Sequence, residues 1–150
     1  MIRFKPNSTV ATIIEHKGKL LFVEETDNDR TVFNQPAGHI EENETLIQAA
    51  QRETLEETGH NCEITHYIGL YTYKAPSNGV MYHRHCFAAK STHYNPDHPL
   101  DEGIIAAKWM TLEELINSGQ ARSPLVIKCA QDYLDNKRYP LELIYEHPYE

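Results

Sequence analysis

The segment from Thr45 to Gly59 constrains this chain more than any other. Thr45 followed three residues later by Gln48 is a capping-box signature, and Gly59 is a helix stop, so a helix runs from about Leu46 to Thr58. At about 100° per residue, Leu46, Ala49, Ala50, Glu53, Glu56 and Glu57 share one face within roughly 120°. The first half of that face is a core stripe, and the second half is a stack of carboxylates. Glu53 is i, i+3 to Glu56 and i, i+4 to Glu57, spacings at which like charges repel. All three also lie at the helix C-terminus, where the macrodipole disfavours anions. A hard divalent cation relieves both penalties, because it prefers clustered carboxylate oxygens. A solvated acidic face with Arg52 as its counter-ion is the alternative reading of the same pattern.

The rest of the chain supplies a sheet for this helix. Thr9 to Glu15 and Lys19 to Glu25 are β-branched and apolar around a Gly18 turn, which predicts a hairpin. Thr31 to Phe33 is a further short strand ahead of a Pro36-Ala37-Gly38 loop. Extended segments follow near Glu63 to Tyr73 and Met81 to Lys90, joined by the turn Pro76-Ser77-Asn78-Gly79, and then Ile104 to Met110. Thr111 caps a short helix over Leu112 to Asn117, and Ser123 with Pro124 opens a last helix to about Leu134. The order of elements fits a mixed sheet flanked by helices, α/β or α+β in class. No repeat or linker interrupts the 150 residues, so we expect a single domain over 1–150.

Charge narrows the partners. Of the net −8, residues 41 to 57 contribute −5, six glutamates against one arginine. An acidic chain without a basic footprint argues against nucleic acid or anionic membranes as partners. There is no apolar run of about 18 residues to span a membrane, and Met1 to Pro6 lacks the features of a signal peptide. Cys62, Cys86 and Cys129 form no CxxC spacing and are expected to be reduced, buried thiols. We expect a soluble, cytoplasmic monomer acting on small molecules.

The segment Gly38-His39-Ile40-Glu41-Glu42-Asn43-Glu44, seven residues, then Arg52-Glu53-Thr54-Leu55-Glu56-Glu57-Thr58-Gly59-His60 resembles the Nudix box. That pattern is G, five residues, E, seven residues, R-E-U-x-E-E-x-G-U, with U a bulky aliphatic residue. Every Gly, Glu and Arg is in register. Thr54 and His60 depart from it at the two U positions, which concern packing rather than chemistry. Val23 to Thr26, Phe33 to His39, Arg122 to Val126 and Arg138 to Glu142 extend the similarity to bacterial Nudix phosphatases. The resemblance implies an α/β/α sandwich on a mixed sheet. It also implies Mg²⁺-dependent hydrolysis (with Mn²⁺ a substitute) of nucleoside di- and triphosphates and of the thiamine-precursor hydroxymethylpyrimidine pyrophosphate. It makes Glu53, Glu56 and Glu57 the metal ligands, with the Gly38 carbonyl as an additional one. Arg52 would pair with Glu44 or Glu56 and orient the carboxylates.

Other roles stay open at the level of sequence. The general base is Glu57 or Glu102, with Asp101 a weaker third. His83 and His85 share one side of a strand, as a metal pair or as packed or solvent-facing rings. Arg84, on the opposite side, would meet substrate phosphate or a surface carboxylate, and Arg30, Lys74, Arg122 and Arg138 are further phosphate candidates. Tyr71, Tyr73 and Tyr82 would stack on a base or pyrimidine ring, or belong to the core. Competing activities are pyrophosphatases for ADP-sugars, dinucleoside polyphosphates or capped RNA, and a non-catalytic nucleotide-binding module. A missing box residue would favour the last; none is missing.

Overall fold

The structure is a computed structural model that describes residues 1–149. Its elements run β1 (Asn7–His16), β2 (Lys19–Asp27), β3 (Arg30–Asn34), β4 (Ala37–His39), α1 (Leu46–Thr58), β5 (His60–Lys74), β6 (Met81–Tyr94), β7 (Ile104–Met110), α2 (Leu112–Ser118) and α3 (Pro124–Leu134), with a 3₁₀ turn at Leu141–Leu143. The expected β1–β2 hairpin forms only at its base, where Glu15 pairs with Leu20 and His16 with Lys19. Lys17 and Gly18, at φ 51° and 78°, make the turn. Beyond it the strands diverge. β1 runs parallel to β6 from Asn7↔Tyr82 to Ile14↔Ala89, and antiparallel to β4 on its other edge. β2 is flanked by β3 and β7, both antiparallel.

The middles of β1 and β2 are buried on both faces, so alternation along them feeds two cores. Val10, Ile14, Leu21 and Phe87 pack with Ala49 and Ala50 of α1. Ala11, Ile13, Leu20, Phe22 and Cys86 pack with Leu115 of α2 and with Val126, Cys129 and Ala130 of α3. Phe22 and Phe87 are wholly buried, each stabilising the fold by about 1.5–3 kcal/mol. The result is a mixed sheet sandwiched between α1 and the α2–α3 pair, as the order of elements predicts.

Two differences from the sequence reading have physical causes. The Pro36-Ala37-Gly38 loop contains a strand, β4, because residues 37–39 are pinned to Ala11, Val10 and Thr9 of β1. β5 and β6 are longer than expected: His60 to Cys62 pair with Tyr94 to Ser91, although Ser91 to Tyr94 are too polar to read as strand. Ladder hydrogen bonds need only a partner backbone, and register shifts along β5 keep the pairing in step. Among the described residues no helix is long and apolar enough to cross a membrane.

Candidate active site

Helix α1 begins with both halves of its capping box, the Thr45 hydroxyl accepting from Gln48 N and the Gln48 side chain accepting from Thr45 N. It ends at Gly59 in the left-handed region, φ 78°. Ala49 and Ala50 hold its first half against the sheet, and its last turns run alongside β4. The approach is close enough that a Cβ on Gly38 would overlap the Glu53 carboxylate.

Arg52 organises the carboxylates. Its Nε and Nη2 donate to both oxygens of Glu44 at 2.7 and 3.0 Å. Nη1 donates to Glu53 at 2.8 Å and to Glu56 at 3.2 Å, and Nη2 also donates to the His39 carbonyl at 3.0 Å. Both expected partners, Glu44 and Glu56, are present, and Glu53 joins them. The fork holds Glu44 below the usual carboxylate range, while Glu44 foremost raises Arg52.

The loop after β6 completes a carboxylate group. Asp101 N donates to the Glu56 carbonyl at 3.0 Å, which ties the loop to the last turns of α1. Oxygens of Glu53, Glu56 and Asp101 lie within 4.8 Å of one another. Burial pushes Glu53 up; Arg52 opposes this, and Glu56 and Asp101 add to it. Glu57 lies outside that group. Its Oε1 accepts from Ala37 N at 2.9 Å, and it is pushed up to about 9, chiefly by burial and further by Glu53, Glu25 and Asp101. Clustered oxygens on carboxyls that burial, and next their acidic neighbours, push upward fit a hard divalent cation. The space at Gly38 fits it too, since only glycine leaves the Glu53 carboxylate its position.

Gly38 and Glu57 also line a cleft of about 840 Å³ between the β2–β3 and β5–β6 hairpins. Three of the four candidate phosphate-binding cations of β3, β5, β6 and the α3 approach, Arg30, Arg84 and Arg122, face this cleft; Lys74 does not, although its neighbours Tyr73 and Ala75 do. Arg138 lies elsewhere, its guanidinium 4.2 Å from the Tyr133 ring centre. Tyr73 and Tyr82 line the cleft, whereas Tyr71 donates to Asp132 of α3 at 2.7 Å. Glu102 is exposed and outside the cleft lining, and its neighbour Asp101 takes the place beside α1. His83 and His85 belong to no metal-sized group among the described residues; His85 Nδ1 is 2.9 Å from the Tyr67 hydroxyl. Among the described residues Arg84 meets no surface carboxylate. It is buried and donates to Gln35 and Asn34 at 2.8 and 3.0 Å.

Asn34, Gln35, Glu25 and Asp27 were invisible as site residues in the sequence. Glu25 and Asp27 read as strand-end carboxylates but anchor Arg122, at 2.7 and 3.8 Å. The signal for Asn34 and Gln35 is their place in the lead-in to Gly38, and for Glu25 its place in the Val23–Thr26 stretch that shares the family resemblance.

Comparison with known proteins agrees with this geometry. The NUDIX domain family profile matches residues 4–128. The chain is 41% identical over 141 residues to Phosphatase NudJ of Escherichia coli K12, covering 94% of this chain and 92% of that protein. A NUDIX hydrolase from Nitrosomonas europaea superposes with a TM-score of 0.92 at 42% identity, over 95% of this chain and 98% of that one. The solution structure of the E. coli ORF135 protein shares the fold, with a TM-score of 0.69 at 23% identity over 87% and 90% of the two chains. Box, sandwich and relatives together show that this chain belongs to the Nudix family and is a Nudix hydrolase.

Proposed function

We propose that the chain hydrolyses phosphoanhydride bonds of nucleoside di- and triphosphates and of hydroxymethylpyrimidine pyrophosphate, with Mg²⁺, releasing phosphate. The observation that carries this reading is the Glu53–Glu56–Asp101 group, its two glutamates held by Arg52, its aspartate tied to the Glu56 carbonyl, and the whole touching the cleft through Gly38. Glu53 and Glu56 would hold the ion together with Glu57, the Gly38 carbonyl and Asp101. When bound, Mg²⁺ or Mn²⁺ neutralises charge on phosphate oxygens and lowers the pKa of the attacking water.

The chain's own residues do the rest. Arg52 fixes where the carboxylates point, and a misplacement there is felt directly in activity. Glu57, at the cleft wall, is the general base, with Glu102 and Asp101 as the other candidates. Arg30, Arg84 and Arg122 bind substrate phosphate within the cleft. Tyr73 and Tyr82 flank the ring of the substrate. The three free cysteines, all buried, accord with a reducing cytoplasm.

A panel assay tests the reading. Nucleoside di- and triphosphates, the pyrimidine pyrophosphate, ADP-ribose, a dinucleoside polyphosphate and capped RNA are each incubated with Mg²⁺ and with EDTA. Orthophosphate and pyrophosphate are scored separately. Orthophosphate from the first two classes is expected, lost in EDTA and in Glu53→Gln and Glu56→Gln while both variants remain folded. Unchanged turnover in both variants sinks the proposal, and binding without hydrolysis points to a non-catalytic module.

A further inference from the structure

Arg84 is held in an unusual way for a cation. Its side chain lies between the sheet and α3, 8% exposed, yet it borders the cleft. Nη1 donates to Gln35 Oε1 and Nη2 to Asn34 Oδ1, both of them neutral acceptors. Gln35, wholly buried, is fixed in turn by donating to the Val126 carbonyl of α3 at 2.8 Å. Among the described residues no carboxylate oxygen lies within 4.0 Å of the guanidinium. Arg122, by contrast, already has Glu25 and Asp27, and Arg52 has Glu44, Glu53 and Glu56. A further neighbour of Arg84 is the Cys129 thiol; burial raises it, and Cys86 and Arg84 together more than offset this. A thiol pair is a weak acceptor beside a phosphate.

A buried charge with no counter-ion is costly, and removing water from a guanidinium is not repaid by two amide oxygens alone. Such a group persists where an anion completes it. The planar fork suits two oxygens of one phosphate, and the locked Asn34–Gln35 pair pre-sets its orientation. Thr9, the cross-strand partner of Arg84, adds a hydroxyl to the cleft wall at the same level. Arg84 also lies two strands from β4, with β1 between, roughly 10 Å from the level of Gly38 in the sheet. Glu53, Glu56 and Asp101 do not line the cleft that Arg84 borders, although Glu57 does.

We propose that Arg84, oriented by Asn34 and Gln35, forms a phosphate-binding subsite that works without metal. The identity of the ligand rests on the phosphoanhydride reading above; binding itself is read without turnover, so either idea can fail alone. The probe is inorganic phosphate, with inorganic pyrophosphate in parallel, in EDTA, followed by thermal unfolding and by calorimetry. The wild-type protein should be stabilised saturably by both. Arg84→Lys keeps the charge without the fork and should bind phosphate roughly tenfold more weakly or worse. Arg84→Gln, where it folds, should show no saturable stabilisation by either anion. No response of the wild type in EDTA, or equal phosphate affinity in Arg84→Lys, overturns the proposal. Should Arg84→Gln fail to fold, the lysine variant alone decides it.

Discussion

Arg52→Lys preserves a positive charge and removes a shape. The guanidinium makes two bonds to Glu44 and one each to Glu53, Glu56 and the His39 carbonyl. A lysine ammonium is a point donor and cannot span these partners at once. The side chains of Arg52 and Glu44 are 20% and 14% exposed, so water screens the pair little. Losing the Glu44 fork should cost about 1.5–3 kcal/mol, the usual worth of a hydrogen bond to a charged group. For a domain of this size that is a fall in Tm of roughly 3–12 °C. Metal affinity should fall about 10–100-fold, because the carboxylates lose the group that aims them. Urea unfolding in EDTA reads the first effect, and a Mn²⁺ titration of the folded variant reads the second. Arg52→Ala should be worse in EDTA and should recover partly in high salt, which screens Glu53 from Glu56. In a double-mutant cycle Glu44→Gln should add little to Arg52→Lys. An Arg52→Lys protein with the wild-type urea midpoint and wild-type metal affinity would refute the reasoning.

Two further perturbations separate packing from function. Gly38→Ala places a methyl group on the Glu53 carboxylate, which is the movable end of a side chain, so stability should change by less than about 1 kcal/mol while metal affinity and turnover fall; intact metal binding would show that the close approach at Gly38 is incidental. His60 is buried against Tyr94 and Trp109, and burial lowers its pKa from the ordinary 6.5. The unfolded chain therefore takes up the proton first, and stability drops as pH falls through about 6.5 towards the lower folded value. His60→Leu, which restores the aliphatic residue of the box pattern, should flatten the fall in urea midpoint between about pH 6.5 and 5. His85, lowered in the same way, will leave a residual slope, and an unaltered slope would contradict the assignment.

What could be read from the sequence follows the range over which each rule acts. Helix α1 is legible in the sequence because its start, stop and charge conflict all lie within Thr45 to Gly59. The two departures from the box pattern also resolve locally. Thr54 is wholly buried but donates to the Ala50 carbonyl one turn back, at 2.7 Å, so a hydroxyl replaces an aliphatic group without an orphan donor. His60 finds Ser91 across β5–β6 at 2.7 Å, which needs the strand extension that polarity concealed. Asp101 ranked below Glu102 because neighbouring loop carboxylates look alike; only the bond from Asp101 N to the Glu56 carbonyl distinguishes them. Tyr71 and Tyr73 share a face by period two, yet α3 covers the first and leaves the second to the cleft. Arg84 is the sharpest case. Alternation set it opposite His83 and His85, but its burial depends on Asn34 and Gln35, 50 and 49 residues away, whose own positions depend on β3 and α3. A local rule cannot weigh a charge whose environment is assembled from three distant elements. The box motif is legible because its conflict and its relief fall on one helix and one adjoining loop; the phosphate end of the cleft has no such single segment.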